Sequence, residues 1–461
     1  MTGDPRLREV LDEVARPAGH WRLSGEEAVA DVLARTRRQR RRLAGGVVSA
    51  LAVIAVAVPL ARAVPEPVPP SPAATTDADR GPVPSVPVLV APTRGSLAGD
   101  AAFLAAVRRV GWGAQDAPPP DEREVVLATD TPDGRVALVV GHVEDDFRGV
   151  WLTGPVGAAA DQLSVHLPAG LGRERPLSLA VGGPGPATLV VVAGRGDRIE
   201  VSPRLAAGPR GTVSRSYAAA DAVEGVAVVP VRTTQHGTAV SVRVLREDRV
   251  VYRAGVDWLD GGAGRRVDLP VLSPLRPGGT PPAPAVLSAA LVGLAVPLGV
   301  EPAALDPELL WSGPLPAGGR PGTVAVVVAH SPGGALAVTT WAGGAGAPVA
   351  CGTQTPPGNA EVGGLTVARV CALPSPAGGS DDDERWLVLT APPSAVRAEV
   401  LDRHEQLLVT LPLDGGSTVV PMPEEAAEVR TLDASGQRLA ATAIAPPALA
   451  PFGDYGSGPE R

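Results

Sequence analysis

Few residues in this chain of 461 can do chemistry, and the first to test are two histidines that end near-identical strands. Residues 135 to 142 read RVALVVGH and residues 323 to 330 read TVAVVVAH, so His142 and His330 close one pattern written twice, 188 positions apart. An imidazole in such a place could ligate a metal or titrate near physiological pH. A zinc centre needs three or four ligands, and no H-x-x-x-H, C-x-x-C or H-E-x-x-H accompanies either histidine. Alternation along a strand puts Val136, Leu138, Val140 and His142 on one face, and Val324, Val326, Val328 and His330 on another. Each histidine thus ends an apolar row and is expected to play a structural role, hydrogen-bonding across the adjoining loop.

Cys351 and Cys371 are the only cysteines, flank a loop containing Gly and Pro, and are expected to form a disulfide in an oxidising compartment. Arg195-Gly196-Asp197 spells an adhesive tripeptide, but VVVAGRGDRIEV reads as strand, turn, strand, where the turn needs glycine and polar residues anyway. The run DDDE at 381 to 384 lacks the D-x-D-x-D-G calcium loop and reads as a solvated turn before Trp386. All 41 basic residues are arginine, which excludes a Walker A loop and Schiff-base chemistry, since both require a lysine. Neither G-x-S-x-G nor G-x-G-x-x-G occurs. The residues therefore predict no catalytic centre, metal site or cofactor site.

The elements that carry these residues look duplicated. Extended backwards, the two histidine strands stay in register, as copied modules do. FLAAVRRVGWG (103 to 113) lies opposite LSAALVGLAVP (287 to 297), and EREVVL (122 to 127) opposite DPELLW (306 to 311), both at an offset of 184. The offset grows to 188 only across a turn, ATDTPDG against the longer SGPLPAGGRPG, where insertions are tolerated. Further on, VVPVRTTQHGTAVSVRVLREDRVV (228 to 251) parallels VVPMPEEAAEVRTLDASGQRLA (419 to 440). Short β-branched runs such as LSLAV, RIEVS, RWLVLT and VRAEVL, separated by turn signals, predict a mainly β fold. We expect two tandem antiparallel, sandwich-like modules with one short helix each, at 98–258 and 285–446. A Gly/Pro-rich linker (259–284) joins them, and a disordered tail (447–461) follows. Pro277 to Val300 carries no charge over 24 residues, yet Pro297 interrupts it and its counterpart holds Arg108 and Arg109, so it is expected to be a buried helix.

Leu43 to Ala61 is a run of nineteen uncharged residues. At 1.5 Å per residue it spans roughly 28 Å, the thickness of a bilayer core, and predicts one transmembrane helix. Arg35, Arg37, Arg38, Arg40, Arg41 and Arg42 precede it and only Arg62 follows closely, which anchors the N-terminus in the cytoplasm and sends the rest outside. Beside an apolar span this basic run reads as a topology anchor rather than a nucleic-acid site. Ala61-Arg62-Ala63 has the form of a signal-peptidase site, but a 42-residue leader and a 19-residue core exceed what a cleaved signal peptide uses. Residues 1–42 predict a short helical cytoplasmic tail, with Leu7, Val10, Leu11 and Val14 on one face. Ser24 and Glu27 at capping-box spacing precede a second apolar row that includes Val32 and Leu33, the candidate docking positions for a cytosolic partner. Residues 62–97 are proline-rich and read as an extracytoplasmic stalk.

A helical tail, an Arg-flanked span, a proline stalk and a β-rich ectodomain give a layout that resembles single-pass membrane proteins of high-GC Gram-positive bacteria, including anti-sigma-factor-like regulators. The chain departs from many of them in having no cysteine before Cys351, and so no cytosolic His/Cys zinc motif. The expectation is a non-enzymatic membrane protein whose duplicated extracytoplasmic domain binds a partner, a ligand or wall material. The alternative is a transmembrane regulator whose residues 1–42 hold a cytosolic protein. A third reading, an envelope hydrolase, lacks any spacing that resembles a nucleophile or metal cluster.

Overall fold

The computed structural model describes residues 83–447 and Phe452, except 114–115, 145, 169–170, 259–266, 317–321, 345, 359 and 375–383. The apolar run 43–61, the arginines before it, Val32 and Leu33, and most of the C-terminal tail lie outside the described residues. Among the described residues no helix is long and apolar enough to cross a membrane.

The first half opens with helix α1 (Ala101–Arg108), which starts where the Asp100 carboxylate accepts the Phe103 amide at 2.9 Å. Arg123 closes the other end. Its Nη1 donates to the carbonyls of Arg108 and Val110, both at 2.7 Å, placing a cation at the negative pole of the helix and over the Trp112 ring. An antiparallel meander follows: β1 (Glu124–Thr131), β2 (Gly134–Val143), β3 (Asp146–Gly154) and β4 (Ser164–His166). Next come β5 (Leu177–Val181), β6 (Gly185–Val192), β7 (Arg198–Ser202), β8 (Leu205–Ala207), β9 (Val213–Arg215), β10 (Ala218–Ala219), β11 (Ala222–Val223), β12 (Val226–Thr233), β13 (Ser241–Arg246), β14 (Arg249–Gly255) and β15 (Asp257–Trp258). They build one sheet in the order β11-β12-β6-β5-β15, a second in the order β10-β7-β13-β14, and the separate hairpin β8-β9.

These elements stack in four layers. Phe103 and Val107 of α1 cover Ala137, Val139 and Val150 on one face of the meander. Val136, Leu138 and Val140 on its other face meet Leu179, Val190 and Val192 of the β5–β6 sheet. Leu189 and Val191 on the far side of that sheet meet Ile199, Val242 and Val244 of the third. The pattern VALVV is thus apolar at every position because β2 is buried on both faces, as central strands of covered sheets are.

The second half repeats the order. Helix α2 (Pro284–Leu298) precedes the meander β16 (Pro307–Leu315), β17 (Gly322–His330), β18 (Leu336–Gly343) and β19 (Val349–Gln354). Then β20 (Val367–Leu373), β21 (Glu384–Thr390), β22 (Arg397–Asp402), β23 (Leu407–Pro412), β24 (Ser417–Pro421), β25 (Ala426–Leu432) and β26 (Arg438–Ala443) form two sheets, β20-β21-β24 and β23-β22-β25-β26. Ala325 and Val327 face α2, while Val324, Val326 and Val328 face the next sheet. Two of the irregularities fall at matching places. Pairing slips between Val125 and Leu127 in β1 and between Leu309 and Trp311 in β16, and again between Val244 and Leu245 in β13 and between Thr431 and Leu432 in β25.

Several expectations need correction. Each half holds three main sheets rather than a two-sheet sandwich, because the meander is itself a full layer between the helix and the remaining sheets. The stalk expected to run to residue 97 does not: Val88 and Leu89 are 0% and 1% exposed, and both amides donate to the Arg173 carbonyl. Arg94 then bridges the edge of β1 through the Val126 carbonyl and the Ala128 amide. The expected linker is likewise folded at its C-terminal end, where the Leu275 and Thr280 amides donate to the Leu309 and Ser312 carbonyls, each at 2.9 Å. An extended proline-containing chain lies there along the free edge of a strand, which supplies the backbone partners that proline cannot. The predicted tail also touches the fold, since Phe452 packs against Ala207, Leu298 and Ala335.

Hairpin β8-β9 reaches across to the second half. The Ala207 carbonyl accepts from the Ser331 hydroxyl at 3.2 Å, and the Gly211 carbonyl from the Thr355 hydroxyl at 2.6 Å. Cys351 and Cys371 form the expected disulfide, with Cα atoms 4.5 Å apart, and tie β19 of the meander to β20 of the next sheet. In the second half the bridge closes a loop of sequence separation 20, so Cys351→Ser with Cys371→Ser should cost roughly 3 kcal/mol. Denaturant unfolding of the double variant against the oxidised parent measures it, and an unchanged midpoint would refute it.

Candidate functional site

The strongest candidate is a cleft at one end of the second half, built from two turns and the start of strand β21. Strand β24 ends at Pro421, and the chain turns through Met422, Pro423, Glu424 and Glu425 into β25. The Met422 amide donates to the Arg385 carbonyl at 2.8 Å, which fixes the turn against β21. Glu425 sits at φ 61°, the left-handed conformation that Glu144, Glu224, Glu247 and Glu405 also adopt in turns. The turn after β22 is fixed by Asp402, whose Oδ1 accepts the His404 and Gln406 amides, each at 2.8 Å. This turn presents Arg403. Together Arg385, Arg403, Met422, Pro423, Glu424, Glu425, Ala426 and Ala427 line an open cleft of about 650 Å³.

The electrostatics of this end divide sharply. Arg430 is held by Glu428 at 2.7 Å and Glu405 at 2.9 Å, so its charge is spent on structure. Arg385, Arg403, Glu424 and Glu425 are exposed and make no ion pair among the described residues. The Asp402 carboxyl is held below the usual carboxylate range chiefly by the Gln406 amide, against an opposing effect of desolvation, with the His404 amide, the His404 ring and Arg403 adding to the lowering.

No protein-family model matches this chain, and no curated protein does. Its own geometry is therefore the guide to what the remaining residues do. His142 is exposed, its Nε2 meets the Arg173 guanidinium, and its ring lies 5.2 Å from Phe147. His330 is also exposed, at the end of its own sheet opposite Leu336. The two histidines occupy separate sheets, and among the described residues no group of three or more His, Cys, Asp or Glu forms a metal-binding cluster. Asp197 of the Arg-Gly-Asp tripeptide is buried, with its side chain 1% exposed. It accepts two bonds from Arg246, both at 2.8 Å, and one from the Gly194 amide, so this carboxylate faces inward. In the acidic run, 381–383 lie outside the described residues and Glu384 begins β21.

Sequence reading missed a matched pair of buried arginines. Arg94 is 5% exposed and donates to the Ala193 and Val88 carbonyls. Arg276 is 3% exposed and donates to the Thr390 hydroxyl and the Leu365 carbonyl. Burial pushes both guanidiniums down to about 10; beside Arg94, the charge of Arg195 adds to the effect and Glu224 opposes it. The signal was present as Pro92-Thr93-Arg94 and Pro274-Leu275-Arg276, one before each meander.

Two outcomes are expected. Asp197→Ala strands Arg246 and should destabilise the protein by about 3 to 5 kcal/mol, measurable by chemical denaturation. Because the folded Asp402 carboxyl is depressed, its stabilising contribution is complete above its ordinary value near 4 and fades as pH falls through the folded one. Asp402→Asn should therefore lose less stability on acidification than the parent, and parallel melting curves from neutral to acid pH would contradict this.

Proposed function

We propose that this is a non-enzymatic, single-pass membrane protein whose two halves are tandem copies of one β-rich module, displayed outside the cytoplasm to bind a partner, a ligand or wall material. The observation that carries this reading is the buried disulfide between Cys351 and Cys371, a bond that persists in oxidising compartments and is rare in reducing ones. It agrees with the direction in which six arginines before Leu43 would orient the apolar run. The shared strand order and the matching register slips support the duplication. Duplicated, layered β folds with short turns at their ends offer binding surfaces on those turns, where loop sequence varies without disturbing the layers.

A second reading, a transmembrane regulator, rests on the apolar row through Val32 and Leu33 on the cytoplasmic side. It differs from the first in what the tail does. Photocrosslinking from those two positions in cells, followed by mass spectrometry, should capture one cytosolic regulator in stoichiometric amounts if that reading holds, and no such product if the tail is only an anchor.

Topology itself is tested with alkaline phosphatase, which is active only outside the cytoplasm, fused after Arg461. Activity is expected in the parent and should disappear when 43–61 is deleted. A fusion that is inactive in the parent would overturn the extracytoplasmic reading.

A further inference from the structure

The turn between β24 and β25 has a counterpart between β12 and β13 in the first half, and the two meet different fates. In the first half the turn is sealed. The Gln235 amide donates to the Glu301 carboxylate at 2.8 Å, and a Cβ added at Gly237 would come within 2.8 Å of Val296, so the end of α2 lies directly on it. In the second half the same position is open, and its turn supplies Met422, Glu424 and Glu425 to the cleft. A surface covered in one copy and open in the other is available for something else.

We infer that this cleft receives a short zwitterionic peptide, its carboxylate between Arg385 and Arg403, its ammonium at Glu424 and Glu425, and its side chains against Met422, Ala426 and Ala427. The inference rests on the binding role proposed above and names the ligand class for it. Two cations and two anions line the cleft, and among the described residues none forms an ion pair with another side chain. Such a cleft has no net charge to attract a simple anion or cation, but it complements a ligand whose opposite charges are likewise separated. The guanidinium fork matches a planar carboxylate, and an ammonium is a compact donor suited to paired carboxylates. The two cleft alanines leave space where larger side chains would fill it, and about 650 Å³ falls within the range of small-ligand pockets.

The test titrates the full-length chain in detergent calorimetrically with tri-alanine, its N-acetylated form, its C-terminal amide and inorganic phosphate. Tri-alanine is expected to bind, and capping either end should weaken it roughly tenfold, the worth of one charged hydrogen-bonded contact. Arg403→Gln should abolish the difference between free acid and amide, and Glu424→Gln the difference between free and acetylated amine. Both side chains are exposed, so unchanged melting of the variants confirms that folding is intact. Absence of tri-alanine binding, capped peptides binding as tightly as the free one, or phosphate binding as tightly as tri-alanine would each overturn the assignment. The phosphatase fusion reads the extracytoplasmic proposal independently, so an active fusion with a failed titration would refute the ligand class alone.

Discussion

The constraint on which this architecture depends is that a strand buried on both faces has no solvent side. In β2 and β17 the residues facing the helix and those facing the next sheet are all buried, so both parities must be apolar. Size then divides the labour. Alanines alternate with valine on the helix side, letting α1 and α2 approach closely, whereas valine and leucine fill the sheet-to-sheet space. Covering both faces requires a helix on one side and a sheet on the other. The covering sheet is in turn buried on its far face, and a third sheet completes the stack. Four layers follow from one strand pattern.

Layers held only by apolar contact have little to fix their lateral position, and the buried arginines meet that need. Arg94 and Arg276 sit in segments leading into the meanders and reach carbonyl or hydroxyl groups at the ends of strands in the neighbouring sheet. Even with ionisation lowered to about 10, both guanidiniums remain charged at neutral pH. A buried cation satisfied by oxygens tolerates few alternative positions, so its desolvation cost is coupled to geometric definition. The disulfide between β19 and β20 ties the corresponding two layers of the second half covalently.

Much of this was legible in the sequence. Runs such as LSLAV and RIEVS occupy β5 and β7 as read, the helix expected within Pro277 to Val300 forms over Pro284–Leu298, and the two cysteines bridge. What local sequence hides has three separate physical causes. The middle layer was invisible because a doubly buried strand loses the alternation that distinguishes sheet faces, so VALVV looked like one strand of a simpler sandwich. Arg94 and Arg276 lay in proline-rich stretches whose composition suggests solvent, although Val88 and Leu89 show how such a chain can be buried. The cleft was illegible because Arg385, Arg403 and Glu424 meet only through folding, and no local spacing relates them. The Arg-Gly-Asp tripeptide shows the converse, a recognisable motif whose carboxylate the fold uses internally.

Hairpin β8-β9 bears on how the two halves behave together. Its contacts at Ala207 and Gly211, with α2 lying on the turn before β13, join the halves through packed surface as well as through the chain. A load or a ligand applied to one half is therefore felt by the other through packed surface rather than through a tether. Two domains on a loose linker sample many orientations and gain affinity by searching. Halves joined through packed surface instead carry their outer turns together, so the spacing between distant surfaces becomes a property written into the fold.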